Sequence, residues 1–152
     1  AGATLAAVAC QEALAQGVPV ALQVLLCPIL DHGEPTPSRR AHAQGYLVDA
    51  ATLEHDLKHY LGTAGEVADP RVSPARATQL RGLPPTCIHT AEFDPLRDEG
   101  RDFAERLTQA GVTTLYRCHL GMIHLFYGMG GVIPYAATAY AELGADIRSL
   151  LG

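Results

Sequence analysis

An α/β fold built on a parallel sheet is predicted by three features of the 152-residue sequence. The stretches "VPVALQVLLCPIL" (18–30) and "TCIHTAEFD" (86–94) are nearly continuous apolar runs, the pattern of strands covered on both faces. Helical stretches flank them and end at Gly17, Gly62 and Gly111, where glycine suits a C-terminal cap. The resulting order is helix, strand, insertion, strand, helix, strand, helix, which right-handed crossovers turn into one sheet between helical layers.

Each element has its own signal. Residues 1–16 are rich in alanine, with Leu5, Val8 and Leu14, and read as a buried helix. The run 18–30 reads as the first strand, and "DHGEPTP" (31–37) as a loop. A helix is expected over 49–62. From 63 to 85 the prolines at 70, 74, 84 and 85 predict an irregular insertion lying on the sheet and not within it. The second strand is followed by the helix "RDEGRDFAERLTQAG". "VTTLYRCHL" (112–120) is the third strand, ended by Gly121, and 134–151 the last helix.

Composition narrows the function. A formal charge of −5 with no basic stripe argues against a nucleic-acid partner. No apolar run reaches the length of a membrane span. Cys10, Cys27, Cys87 and Cys118 show no C-x-x-C spacing and read as plain buried thiols, for which a reducing, cytoplasmic setting is expected. His55 and His59 share a helical face but lack the glutamate and third ligand of a zinc site, so no metal is expected. Asp98 and Glu99 read as acids favoured by the N-terminal turn of their helix, and His89 as a core histidine.

Catalytic groups of parallel sheets gather beyond the carboxyl ends of the strands. Asp94 closes one strand, and His124 sits in the glycine-flanked turn after the next. A carboxylate that takes the Nδ1 proton of an imidazole holds it in the tautomer whose Nε2 acts as a base, so the two make up two thirds of a charge-relay triad. No serine of the chain stands on a strand-to-helix elbow: Ser38, Ser73 and Ser149 lie in loops or the last helix. In a G-x-S-x-G elbow, Ala1-Gly2 would be the last two residues, and the nucleophile the residue before Ala1.

The motifs "AGATLAAVA", "LLCPILD", "ADPRVSPARA", "GLPPTCIHTAEFDPLRDEG" and "GMIHLF", in this order, resemble the C-terminal half of bacterial esterases of the hormone-sensitive-lipase-like family, within the α/β-hydrolase superfamily. The resemblance covers essentially the whole chain. It implies Asp94 as triad acid, His124 as base, and the backbone N–H of Ala1 as part of the oxyanion hole. The rest of that hole comes, in the family, from an upstream H-G-G-G loop, so the upstream half is expected to complete the site.

The resemblance further implies a catalytic domain over 1–36 and 66–152, with a cap segment over 37–65. Tyr46 and Leu47 are its candidates to face the acyl group; Leu96 and Leu125 are further candidates for substrate contact. Leu125 and Ala3 depart from the family pattern, which often has glycine at both positions. The implied activity is a cofactor-free serine carboxylesterase for small, short-acyl esters. The alternatives are a ligand-binding protein of the same fold and a fragment inactive on its own. A homodimer through the edge strand at 113–120 is a further expectation.

Overall fold

The computed structural model describes residues 1–62 and 65–152. Strands β1 (Gln23–Leu26), β2 (Thr86–Phe93) and β3 (Thr114–Ile123) pair in parallel, with β2 in the middle. Helices α1 (Gly2–Ala15) and α4 (Arg97–Gln109) pack on one face of the sheet, and α5 (Tyr135–Leu151) on the other. Helices α2 (Pro37–Ala41) and α3 (Ala50–Leu61) lie in the connection from β1 to β2. Among the described residues no helix is long and apolar enough to cross a membrane.

The glycine stops act as expected. After α1, Gly17 takes φ +70 while its N–H bonds the Leu14 carbonyl and the Val18 N–H bonds that of Ala13. After α4, Gly111 repeats the arrangement at φ +81, with Gly111 and Val112 donating to Thr108 and Leu107. Both are Schellman motifs, in which a left-handed residue lets the chain fold back over the last carbonyls. Helix α3 starts on Asp49, whose side chain accepts the Thr52 N–H, as an N-cap should.

Side chains of β2 alternate between two packed faces. Ile88 joins Leu25, Ala7, Phe103 and Leu107 beneath α1 and α4, whereas Ala91 joins Phe126, Ala136 and Ala139 beneath α5. Helix α4 comes very close to the sheet at Gly100, where a Cβ would lie 2.6 Å from Thr90 Cγ2.

The structure departs from the sequence reading at several elements; α1 buries only Thr4, Ala7 and Cys10 and leaves Leu5 exposed, and Cys118 is only half-buried. The first strand is four residues long, because Val18 is exposed and the left-handed Cys27 (φ +44) ends the ladder before Pro28. Helix α2 is an unforeseen short turn started by Pro37 at its first position and capped by the Thr36 side chain. The segment after 65 is irregular, with a 3₁₀ turn at Pro74–Arg76, yet Ala77, Leu80 and Leu83 are part of the core under α1 and α4. Prolines there interrupt hydrogen bonding without preventing burial. Finally, β3 does not stop at Gly121 but passes through it to Ile123, with a register shift opposite Ala91 and Phe93. Gly121 takes φ +74 in that irregularity, and its N–H bonds Glu92 Oε2 at 2.7 Å. Residues 63 and 64 of the expected cap segment lie outside the described residues.

Between the sheet and α5 runs a buried polar network. Arg117 grips both oxygens of Asp146 at 2.8 Å, and Asp146 Oδ2 lies 3.0 Å from His89 Nε2. His89 Nδ1, Tyr127 Oη and His119 Nε2 form a triangle with sides of 2.7, 2.8 and 3.0 Å. On its far side, His119 Nδ1 faces the Tyr135 hydroxyl, which donates to Glu142. Burial pushes the His119 imidazole down to about 4, with His89 adding to the effect, and burial lowers His89 as well. Unfolded histidines titrate near 6.5. As pH falls from about 6.5 to about 4, the unfolded chain therefore gains protons that the folded one refuses, and stability falls across that window; above it the stability is fully present. Each such histidine contributes a slope of up to about 1.4 kcal/mol per pH unit. Urea unfolding of the whole protein at several pH values is expected to show that decline, and the His119→Asn variant a shallower one; equal slopes would contradict it.

Candidate active site

The parallel register brings the ends of β2 and β3 side by side, so that residues 30 positions apart meet. Asp94 follows β2 directly and is completely buried. Its Oδ2 lies 2.8 Å from His124 Nδ1, and its Oδ1 accepts the Leu96 N–H at 2.8 Å. Pro95 bends the chain so that the carboxylate's own turn supplies this second donor, and the Asp94 carbonyl accepts the Arg97 N–H. With Nδ1 protonated and donating to Asp94, the neutral imidazole leaves Nε2 as a hydrogen-bond acceptor and base. The His124 side chain is 12% exposed.

The turn holding His124 is strained. Leu125 has φ +57, its side chain is exposed, and the 3₁₀ turn Phe126–Met129 follows, burying Phe126 and Tyr127 against the sheet. Among the described residues three non-glycine positions have positive φ: Cys27, Leu47 and Leu125. Two of them touch this site, in keeping with strain being retained where geometry serves function.

Of the other expected site residues, Leu96 is 1% exposed and offers Asp94 its backbone rather than its side chain. Tyr46 stacks on Phe93, the neighbour of Asp94, with ring centroids 5.7 Å apart and planes 7° from parallel, and His42 meets both rings edge-on. Leu47 is exposed. Ala1 heads α1 and lines a cavity of about 340 Å³ with Thr4, Leu5, Ile29, Leu53 and Tyr60. Asp94 and His124 are not among the residues lining that cavity, which runs between α1 and α3. His55 and His59 are exposed and 4.4 Å apart between ring centroids.

Two residues of "DPLRDEG" do more than favour a helix terminus. Glu99 is buried; its Oε2 accepts the N–H groups of Leu30 and Asp31 at 2.6 and 2.8 Å, and its Oε1 pairs with Arg39 at 2.9 Å. Arg39 in turn donates to the Asp31 carbonyl. Asp98 accepts the Ser38 N–H, and Ser38 Oγ donates to the Pro95 carbonyl. Together they tether the loop after β1, and helix α2, to the turn that carries Asp94. Two adjacent acids on an otherwise buried helical turn were the available signal, since buried carboxylates need partners.

Two groups among the described residues have donors close enough for a metal: Cys27, Asp94 and His124, and Cys87, His89 and Asp146. In the first, the nitrogen facing Asp94 carries the proton of a 2.8 Å hydrogen bond. Burial, reinforced by Asp94, pushes the Cys27 thiol up to about 12, opposing the thiolate a metal requires. In the second, Arg117 occupies both oxygens of Asp146, and burial pushes Cys87 up to about 11. The donor chemistry suits hydrogen bonding in both.

A family model described as alpha/beta hydrolase fold matches residues 1–128. An ethyl acetate hydrolase of Pseudomonas putida is 34% identical over 137 residues, covering 89% of this chain and 43% of the relative. The carboxylic ester hydrolase LipN of Mycobacterium tuberculosis is 35% identical, covering 99% of this chain and 42% of its own. The crystal structure of a thermostable esterase from Pseudomonas putida superposes with a TM-score of 0.91 at 34% identity, over 99% of this chain and 49% of that one. A hyperthermophilic esterase from Pyrobaculum calidifontis gives 0.91 at 32% identity, over 97% and 48%. The chain thus spans less than half the length of these relatives.

Proposed function

This chain belongs to the alpha/beta hydrolase fold family, of the hormone-sensitive-lipase-like kind, and on that premise we propose that the whole protein is a serine carboxylesterase for small, short-acyl esters. The observation that carries the proposal is the 2.8 Å contact between Asp94 Oδ2 and His124 Nδ1 at adjacent strand ends. The named activities of the relatives support the ester as substrate class.

The proposed nucleophile is a serine immediately before Ala1. Within the chain, Ser38 and Ser73 are fully buried and their hydroxyls donate to the carbonyls of Pro95 and Val67, while Ser149 caps a carbonyl on α5. His124 Nε2 takes the serine proton as the hydroxyl attacks the ester carbonyl, and Asp94 stabilises the resulting imidazolium. The Ala1 N–H, at the positive end of α1, donates to the oxyanion as it forms. His124 then gives its proton to the leaving alcohol, and the same steps with water release the acid.

The test is hydrolysis of p-nitrophenyl esters from acetate to octanoate by the whole protein, together with labelling by an organophosphonate. Turnover fastest on the short esters is expected, with one phosphonate bound to the serine preceding Ala1. A protein that hydrolyses none of these esters and takes no label would refute the proposal, as would an adduct on another residue.

A further inference from the structure

We propose that Cys27 is a positioning residue for the Asp94–His124 pair, its thiol tying the carboxylate to the turn that carries the imidazole. The inference rests on the esterase reading above but concerns a residue outside the triad.

The backbone at Cys27 is where the evidence begins. Leu25 belongs to the core beneath α1 and α4, and Leu26 packs against the core on the opposite face. An extended strand would return the next side chain to the first face. Cys27 instead belongs to the second core, with Ala91, Phe126 and Tyr127, because φ +44 rolls it over. That conformation costs free energy in any residue but glycine. It is held by the last ladder bond, from Cys27 N–H to the His89 carbonyl at 2.8 Å. The strain sends the side chain to the side on which the acid and base meet.

There the sulfur lies close to both the acid and the base. Sγ, an Asp94 carboxylate oxygen and a His124 ring nitrogen lie within 4.8 Å of one another. The Asp94 carboxylate and the backbone N–H groups of Ala91 and Leu125 act on the thiol in opposite directions, the first favouring its protonated form and the others its thiolate. Asp94 already accepts His124 on one oxygen and the Leu96 amide on the other, and the proposed role of the nearby S–H is to supply a third donor to this fully buried carboxylate. Leu125 is the left-handed residue right after the base. The side chain at the end of β1 thus sits beside both the carboxylate and the imidazole. Burial and the neighbouring carboxylate hold the thiol protonated, up to about 12, so at neutral pH it serves as a donor and not as a nucleophile.

The test compares Cys27→Ala and Cys27→Ser in the whole protein. Alanine removes the donor to Asp94 and the acceptor for Leu125; the more basic carboxylate then holds the imidazole proton more tightly, and the turn loosens. A fall in kcat of about tenfold is expected with KM unchanged. The acid limb of kcat/KM should move to higher pH, and the downfield proton resonance of the Asp94–His124 hydrogen bond should shift or broaden. Serine, which donates and accepts at the same place, should restore all three. Alanine and serine variants equally impaired, or an alanine variant with wild-type kcat, pH limb and resonance, would overturn the proposal. In the wild-type protein the Leu125 amide should be protected from solvent exchange, and an unprotected amide would overturn it without any variant. The resonance and the exchange are read without turnover, so a protein that hydrolyses no ester sinks the esterase reading while these two still decide the role of Cys27.

Discussion

Asp94→Asn is expected to lower kcat about 10⁴-fold in the whole protein while leaving it folded. The reason lies in the two contacts of the carboxylate. Oδ1 accepts the Leu96 N–H, which holds an acceptor oxygen in that position. An asparagine there keeps its carbonyl oxygen on Leu96 and turns its NH₂ toward His124. Nδ1 must then accept, the ring proton moves to Nε2, and the proposed base faces the proposed nucleophile in the wrong tautomer. Burial of the site leaves no water to substitute, since residue 94 is completely enclosed. Steady-state hydrolysis of a short p-nitrophenyl ester, with circular dichroism to verify folding, checks this. A loss smaller than tenfold would mean that Asp94 does not set the tautomer.

Glu99→Ala is expected to cost about 3 to 5 kcal/mol of folding stability, the range for removing one partner of a buried ion pair. Three donors lose their acceptor at once: the amides of Leu30 and Asp31 and the Arg39 guanidinium, whose side chain is 14% exposed. Against a typical total of about 5 to 15 kcal/mol, that is a large share. The charge itself is strained, because burial raises the Glu99 carboxyl despite Arg39 and the two amides. Glu99→Gln, which keeps the shape and one acceptor oxygen, should lose less. Urea unfolding followed by fluorescence or circular dichroism reads both, and a loss under about 1 kcal/mol for alanine would show that the loop after β1 is held by other contacts.

The parts of this protein that could be read from its sequence are those governed by local chemistry. Continuous apolar runs mark strands covered on both sides, and β2 matches its run to within a residue because no special backbone interrupts it. Gly17 and Gly111 end helices because a left-handed residue is cheapest in glycine, which any stretch of sequence reveals. Asp94 and His124 were visible as polar residues at the ends of apolar strands, where a parallel sheet exposes its ligand-binding rim. Tertiary structure alone decided the rest. The run 18–30 yields only Gln23–Leu26 as strand, since apolarity reports burial and not conformation, and Leu30 and Cys27 are buried in loop backbone. Cys27 reads as an ordinary buried thiol until its positive φ places it on the face of Asp94. Glu99 reads as a helix-dipole acid until Arg39 of α2, 60 residues upstream, pairs with it. Local chemistry thus sets the identity of the elements and the two groups at their ends; the fold sets which distant atoms satisfy one another, because hydrogen bonds across long sequence separations leave no periodicity behind.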